Sequence, residues 1–237
     1  MNKTVILVDG QNLAHDLRDI GIQEKDVDWT KLFNDIVGLD NQFVRAYWFR
    51  PERISGLITK PEIIEKLIVK RLFNPLYKEY ITKGLNALDP KSRKEFEEKC
   101  KQVNDWVSEQ QRKFEGAEKA FDQLCMKHNN IEIVRSGEVK VDSIEMAYFG
   151  EKGVDIAVAV KMIDLSLGGK CDKIILFSGD SDYTTAIRYV KDRLVQLNVV
   201  SIPKDAAANS TAKSLRVIAD TVIEIPESNF KAKYVIP

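Results

Sequence analysis

Two short segments carry the carboxylates whose placement could do chemistry: Val-Asp-Gly-Gln-Asn at 8–12, with Asp9 and Asn12, and Ser-Gly-Asp-Ser-Asp-Tyr at 178–183, with Ser178, Asp180 and Asp182. Each follows an apolar run, Val5 to Val8 in one case and Ile174 to Phe177 in the other. Such runs read as strands buried on both faces of a parallel sheet. Open α/β sheets bind ligands where these strands end. A third acid, Asp155 in Lys-Gly-Val-Asp-Ile-Ala, opens an apolar helix. If folding gathers Asp9, Asp155 and Asp180 into one crevice, the set is suited to hold a hard cation, Mg²⁺ or Mn²⁺. Such an ion would activate water and stabilise charge on a phosphoryl group during phosphodiester cleavage. Asn12 would orient Asp9 or the scissile phosphate, and Asp182 would reach the metal through water or position the nucleophile.

Taken singly, each residue has a plainer explanation. Asp9-Gly10 fits a strand-terminating turn, Ser181 or Asp182 a helix N-cap, and Asp155 a favourable charge at a helix start. Three acids at corresponding element ends favour chemistry over coincidence.

The elements that must position them follow from periodicity. A strand at 3–8 is followed by helical patterning to about residue 37 and by a second strand at 42–49. From Pro61 a helical period places Ile63, Ile64, Leu67, Ile68, Leu72 and Phe73 on one face, with a break or kink expected at Pro75. A charged helical segment runs from about Pro90 to Lys127, and together the two form an expected helical insertion over about 54–129. Strand signals resume at 131–135, with a short strand or turn at 137–142. Helix 154–167, strand 173–177, helix 181–194, strand 198–202, a helix near 210–219 and a strand at 221–225 then alternate. Alternation of this kind predicts a doubly wound parallel α/β sheet, here in one domain over 1–237 that carries the helical insertion. The tail after Pro226 lacks periodicity and is expected to be loose.

Composition narrows the class. The chain has 237 residues, 44% of them hydrophobic, and a net charge of zero. No apolar stretch reaches the roughly 20 residues that span a bilayer, and no signal-peptide pattern precedes the first strand, so a cytoplasmic location away from membranes is expected. Cys100, Cys125 and Cys171 are too scattered for a disulfide framework or zinc knuckle, and two histidines are too few for a histidine-rich zinc centre. Net neutrality requires any anionic substrate to meet a local basic patch. Arg50 and Arg53, near the end of the second strand, could contact RNA phosphate, and Tyr47 or Trp48 could stack a base, although core packing is the commoner role for such aromatics. His15, one turn after Asn12, could reach the site as a proton carrier, although metal-activated water needs no imidazole. Lys204, Lys213 and Arg216 read as a basic rim or as solubilising charges.

The phrases Val-Ile-Leu-Val-Asp-Gly-Gln-Asn-Leu (5–13), Glu-Lys-Gly-Val-Asp-Ile-Ala-Val-Ala-Val (151–160) and Ile-Leu-Phe-Ser-Gly-Asp-Ser-Asp-Tyr (175–183) resemble the NYN domain, a PIN-like ribonuclease fold, in its bacterial LabA-like branch. Ser214-Leu215 to Ala219-Asp220 followed by Val222 and Ile223 also resembles that branch. The resemblance covers 1–50 and about 130–226 and leaves the insertion unexplained. It implies a metal-dependent RNA-cleaving fold with Asp9, Asn12, Asp155, Asp180 and Asp182 at the matching motif positions. Where the family commonly has a second aspartate, this chain has Lys161, which would either hold substrate phosphate beside Arg50 and Ser178 or displace one metal. The second case would give a catalytically silent RNA-binding or adaptor protein, with the insertion as a dimerisation or partner-docking element. A dehalogenase-like phosphatase is disfavoured because Asp9-Gly10-Gln11 replaces the usual Asp-x-Asp, and a Rossmann enzyme because no Gly-x-Gly-x-x-Gly follows the first strand.

Overall fold

The strands that are apolar on both faces pair side by side. The computed structural model describes residues 1–70, 84, 89–204 and 211–236. In chain order its strands are β1 (Asn2–Asp9), β2 (Asn41–Arg50), β3 (Arg53–Ser55), β4 (Ile131–Arg135), β5 (Glu138–Asp142), β6 (Ala147–Lys152), β7 (Lys173–Phe177), β8 (Gln196–Ser201) and β9 (Thr221–Glu224). Its α-helices are α1 (Gly10–Asp19), α2 (Trp29–Val37), α3 (Lys60–Lys70), α4 (Pro90–Lys127), α5 (Val154–Ser166), α6 (Thr184–Lys191), α7 (Lys213–Ile218) and α8 (Glu227–Tyr234).

The chain divides into two compact units. The first comprises 1–52, 120–137 and 151–237, and the second comprises 53–119 and 138–150. The insertion expected over 54–129 thus shares most of its residues with the second unit, but 120–129 belong to the first and 138–150 to the second. The break expected at Pro75, with Leu72 and Phe73, lies outside the described residues.

In the first unit six strands form one sheet in the order β4-β2-β1-β7-β8-β9, and every pairing is parallel. Alternate residues of β1 face opposite layers. Ile6 and Val8 pack with Leu13, Leu17, Trp29, Phe33 and Phe230 on one side, whereas Val5 and Leu7 pack with Val158, Met162, Ile187 and Leu215 on the other. A sheet covered on both faces requires such uninterrupted apolar strands, and this two-sided burial is why the sequence pattern was legible. The fold is therefore the doubly wound parallel α/β class expected from the sequence.

The second unit has its own core, in which Ile63 and Leu67 of α3 meet Phe96 and Val103 of α4 and Ile144. Its small sheet has the order β3-β5-β6, with β3 and β5 parallel. Helix α4 is 38 residues long, or about 57 Å at 1.5 Å per residue.

The expectation of a loose tail is corrected. Residues 227–234 form α8, whose Phe230 and Tyr234 are buried four positions apart with ring centroids 5.6 Å from each other. The tail is also held by backbone: Asp28 donates to the Tyr234 carbonyl at 2.8 Å, Ile236 donates to the Asp26 carbonyl at 2.8 Å, and Val27 bridges Val235. Two aromatic anchors in a lysine-rich segment give little periodic signal yet bury a large area.

On α1, Asp16 is stabilised in its neutral form. Burial raises the Asp16 carboxyl on α1 to about 6, against the opposing effect of the hydrogen bond it accepts from the Ile202 amide at 3.0 Å. Because the folded-state value lies above the unfolded one, the stability Asp16 contributes is complete below about pH 4 and is lost as pH rises through about 6. Replacing Asp16 with Asn keeps an acceptor for Ile202. The variant is expected to be more stable than wild type at pH 8 by about 1–2 kcal/mol, and its urea midpoint should vary less between pH 4 and 7. A midpoint that tracks wild type across that range would contradict this assignment.

Candidate active site

The sheet order reverses between β1 and β7: the chain winds outward through β2 and β4 on one side and through β8 and β9 on the other. A crevice forms at the carboxyl ends of strands on either side of such a switch point. Asp9 is the last residue of β1, and Val8 pairs in register with Phe177, so Asp9 and Ser178 emerge side by side. The crevice there has a volume of about 330 Å³. Asp9, Asn12, Asp155 and Asp180 all line it, so the fold brings together the three acids that the sequence left 25 or more residues apart. Asp182 is exposed and does not line it; its amide donates to Asp180 Oδ1 at 3.0 Å and closes the turn into α6.

Asp9 is 4% exposed and receives a ring of donors. Its Oδ1 accepts from the amides of Gln11 and Asn12, both at 3.1 Å, which caps α1. Its Oδ2 accepts from Asn12 Nδ2 at 2.6 Å, from the Tyr183 hydroxyl at 2.6 Å and from Ser178 Oγ at 3.4 Å. Ser178 Oγ in turn accepts from the Asp180 amide at 3.2 Å. Burial raises the Tyr183 phenol far above its ordinary value, reinforced by the charge of Asp9 and its hydrogen bond, then by Asp155 and Asp180, so the hydroxyl remains a donor. The helix cap and the site therefore share one carboxylate.

Glu151 and Tyr183 were not singled out by the sequence reading. Glu151, near the end of β6, lines the crevice, and burial pushes its carboxyl up to about 7, with Arg50 opposing and Asp9 and Glu24 adding to the shift. Its Oε2 is buried without a hydrogen-bond partner. The available signal was its place in the Glu-Lys-Gly-Val-Asp phrase; β6 itself, Ala-Tyr-Phe-Gly-Glu-Lys, has no clean alternation.

Arg50 and Lys161, expected to contact phosphate, are not among the residues that line the crevice. Arg50 is largely buried, ion-paired with Glu24, and its guanidinium lies 4.1 Å from the Phe121 ring centroid. Lys161, two turns along α5 from Asp155, sits with its ammonium 3.9 Å from the Tyr47 ring centroid and does not line the crevice. Trp48 is fully buried against Trp29, His15 is exposed outside the crevice lining, and Arg216 pairs with Glu224. In the second unit, Arg53 pairs with Glu138 at 3.3 Å.

The donor chemistry of the crevice fits a hydrated hard cation. Four carboxylates line it, one of them with a buried unsatisfied oxygen, and all the donors are oxygens of the kind Mg²⁺ and Mn²⁺ take. Among the described residues no three His, Cys, Asp or Glu side chains form a ready-made ligand group. Magnesium is commonly held by one or two carboxylates and several waters, and such a mode needs no third direct ligand.

Tyr183→Phe removes a short side-chain hydrogen bond to Asp9 while keeping the ring. It is expected to cost about 2 kcal/mol in urea unfolding, the usual worth of a hydrogen bond to a buried charge. In the Asp9→Ala background the same change should cost clearly less, and equal costs in the two backgrounds would show that the pair is not coupled.

Among the described residues no helix is long and apolar enough to cross a membrane. Comparison with curated proteins and with solved structures finds no match. A family model described as the NYN domain matches residues 3–226. NYN domains are generally ribonucleases, and the PIN-like nucleases among them typically use divalent ions. Matched over almost its whole length, this chain belongs to the NYN domain family.

Proposed function

We propose that the chain is a Mg²⁺- or Mn²⁺-dependent ribonuclease that hydrolyses RNA phosphodiester bonds in the crevice between β1 and β7. The observation that carries this reading is the convergence of Asp9, Glu151, Asp155 and Asp180 on one crevice, with Glu151 Oε2 buried and unpartnered. Asp9, Asp155 and Asp180 would hold the ion, and Glu151 adds a fourth carboxylate to the set. When bound, such an ion supplies an activated water and charge stabilisation at the phosphoryl oxygens. The protein's own contribution is positional: Asn12, Tyr183 and Ser178 fix the Asp9 carboxylate, and the turn at Asp180 to Asp182 fixes the second acid.

A second reading, RNA binding without cleavage, is favoured by one feature. Lys161 stands where the family commonly has an acid, and its ammonium is engaged with Tyr47. Purified protein with Mn²⁺ and a labelled single-stranded RNA decides between them. The ribonuclease is expected to cleave, and Asp9→Asn and Asp180→Asn are each expected to lower the rate at least about 100-fold, equivalent to about 2.7 kcal/mol of lost transition-state stabilisation. RNA binding with no cleavage at any Mn²⁺ concentration supports the silent reading; cleavage that survives both substitutions marks a contaminant and overturns the first.

A further inference from the structure

An acidic crevice that takes a polyanion needs a cation of its own beside the metal. Four carboxylates line this one, and its lining contains a single basic side chain, Lys152. Every other cation considered for the role is engaged elsewhere or lies outside the crevice lining: Arg50 by Glu24 and Phe121, Lys161 by Tyr47, Arg216 by Glu224. Lys152 is exposed at the rim, at the end of β6, and its side chain makes no hydrogen bond or ion pair among the described residues.

Its backbone is held closely. A Cβ placed on Gly137, which has φ +76°, would lie 2.2 Å from the Lys152 carbonyl oxygen and 3.0 Å from both Gly153 C and Val154 N. Glycine at 137 thus lets one backbone segment press against another, and it fixes the stretch that delivers Glu151, Lys152 and Asp155 to the crevice. An ammonium on a four-carbon stem anchored in this way can sweep the mouth of the crevice while its root stays fixed.

We infer that Lys152 is the substrate-positioning cation of this site: its ammonium takes a backbone phosphate of single-stranded RNA and holds the strand across the acidic crevice. This inference rests on the reading that the crevice takes RNA. The geometry assigns to Lys152 the task that the sequence alone suggested for Lys161 and Arg50.

The test measures fluorescence anisotropy of a labelled single-stranded RNA in EDTA, over a sodium chloride series, with wild type, Lys152→Gln, Lys152→Arg and, as a charge-matched control away from the crevice, Lys31→Gln. For single strands each phosphate contact contributes about 0.7 to the slope of log affinity against log salt. Lys152→Gln is expected to lower that slope by about 0.7 and to weaken binding about fivefold to tenfold at low salt. Lys152→Arg should restore both, and Lys31→Gln should leave both unchanged. In Mn²⁺ the Gln variant should raise KM with little change in kcat. An unaltered salt slope in Lys152→Gln, with wild type binding normally, overturns the role of Lys152 alone. Failure of wild type to bind RNA both in EDTA and with Ca²⁺ in its place removes the RNA reading of the crevice and this inference together. An equal loss in Lys152→Arg would show that the effect is structural and would also overturn it.

Discussion

The arrangement depends on how the charge on Asp9 is held. A carboxylate only 4% exposed, at the end of a fully apolar strand, is costly to desolvate unless hydrogen bonds to the charged form replace water. Asp9 receives them from two backbone amides, one side-chain amide, one phenol and one serine hydroxyl. Those donors come from α1, from the loop after β7 and from the short turn before α6. The same bonds that make the charge tolerable therefore tie both sides of the switch point together. Asp9 is at once a helix cap, a joint between β1 and β7 and a member of the acidic crevice.

Beside it, charge is handled differently. Glu24 and Arg50 neutralise each other in a largely buried pair, with the guanidinium packed on Phe121, and Arg50 Nε has no acceptor. Burial raises the Glu24 carboxyl while Arg50 opposes the rise. Glu151 has only longer-range help from Arg50, its Oε2 is buried without a partner, and the residue lines a crevice already carrying Asp9, Asp155 and Asp180. The first unit thus places one compensated and one uncompensated acid close to the same strand ends. Uncompensated buried acids mark functional sites more often than structural ones, because stability alone would favour pairing or replacing them.

Much of this was legible in the sequence, for particular reasons. Strands β1 and β7 announce themselves because both of their faces are buried, and an acid directly after an apolar run stands out at a strand end. Asp155 was legible because the helix it opens is apolar almost throughout. What escaped the reading depended on contacts between remote residues. Arg50 looked like a free cation because its partner Glu24 lies 26 residues earlier in a short turn. Tyr183 read as one aromatic among many, since nothing local shows that its hydroxyl reaches Asp9 across 174 positions. Glu151 was hidden by a strand without alternation, and α8 by a segment in which two aromatics among lysines do the anchoring.

Gly10 shows what kind of change the backbone beside this crevice can absorb over evolutionary time. A Cβ there would fall 2.4 Å from the Phe49 carbonyl oxygen and within 2.8 Å of the Arg50 side chain, so the start of α1 and the end of β2 touch with no room between them. The approach of these two elements is set by backbone on one side and by the absence of a side chain on the other. Charge at the mouth is carried by side chains that extend into open water and can be exchanged one at a time. Lineages descending from such a scaffold are free to alter the charge at the mouth far more readily than the approach of α1 to β2, and their members should differ in chemistry before they differ in shape.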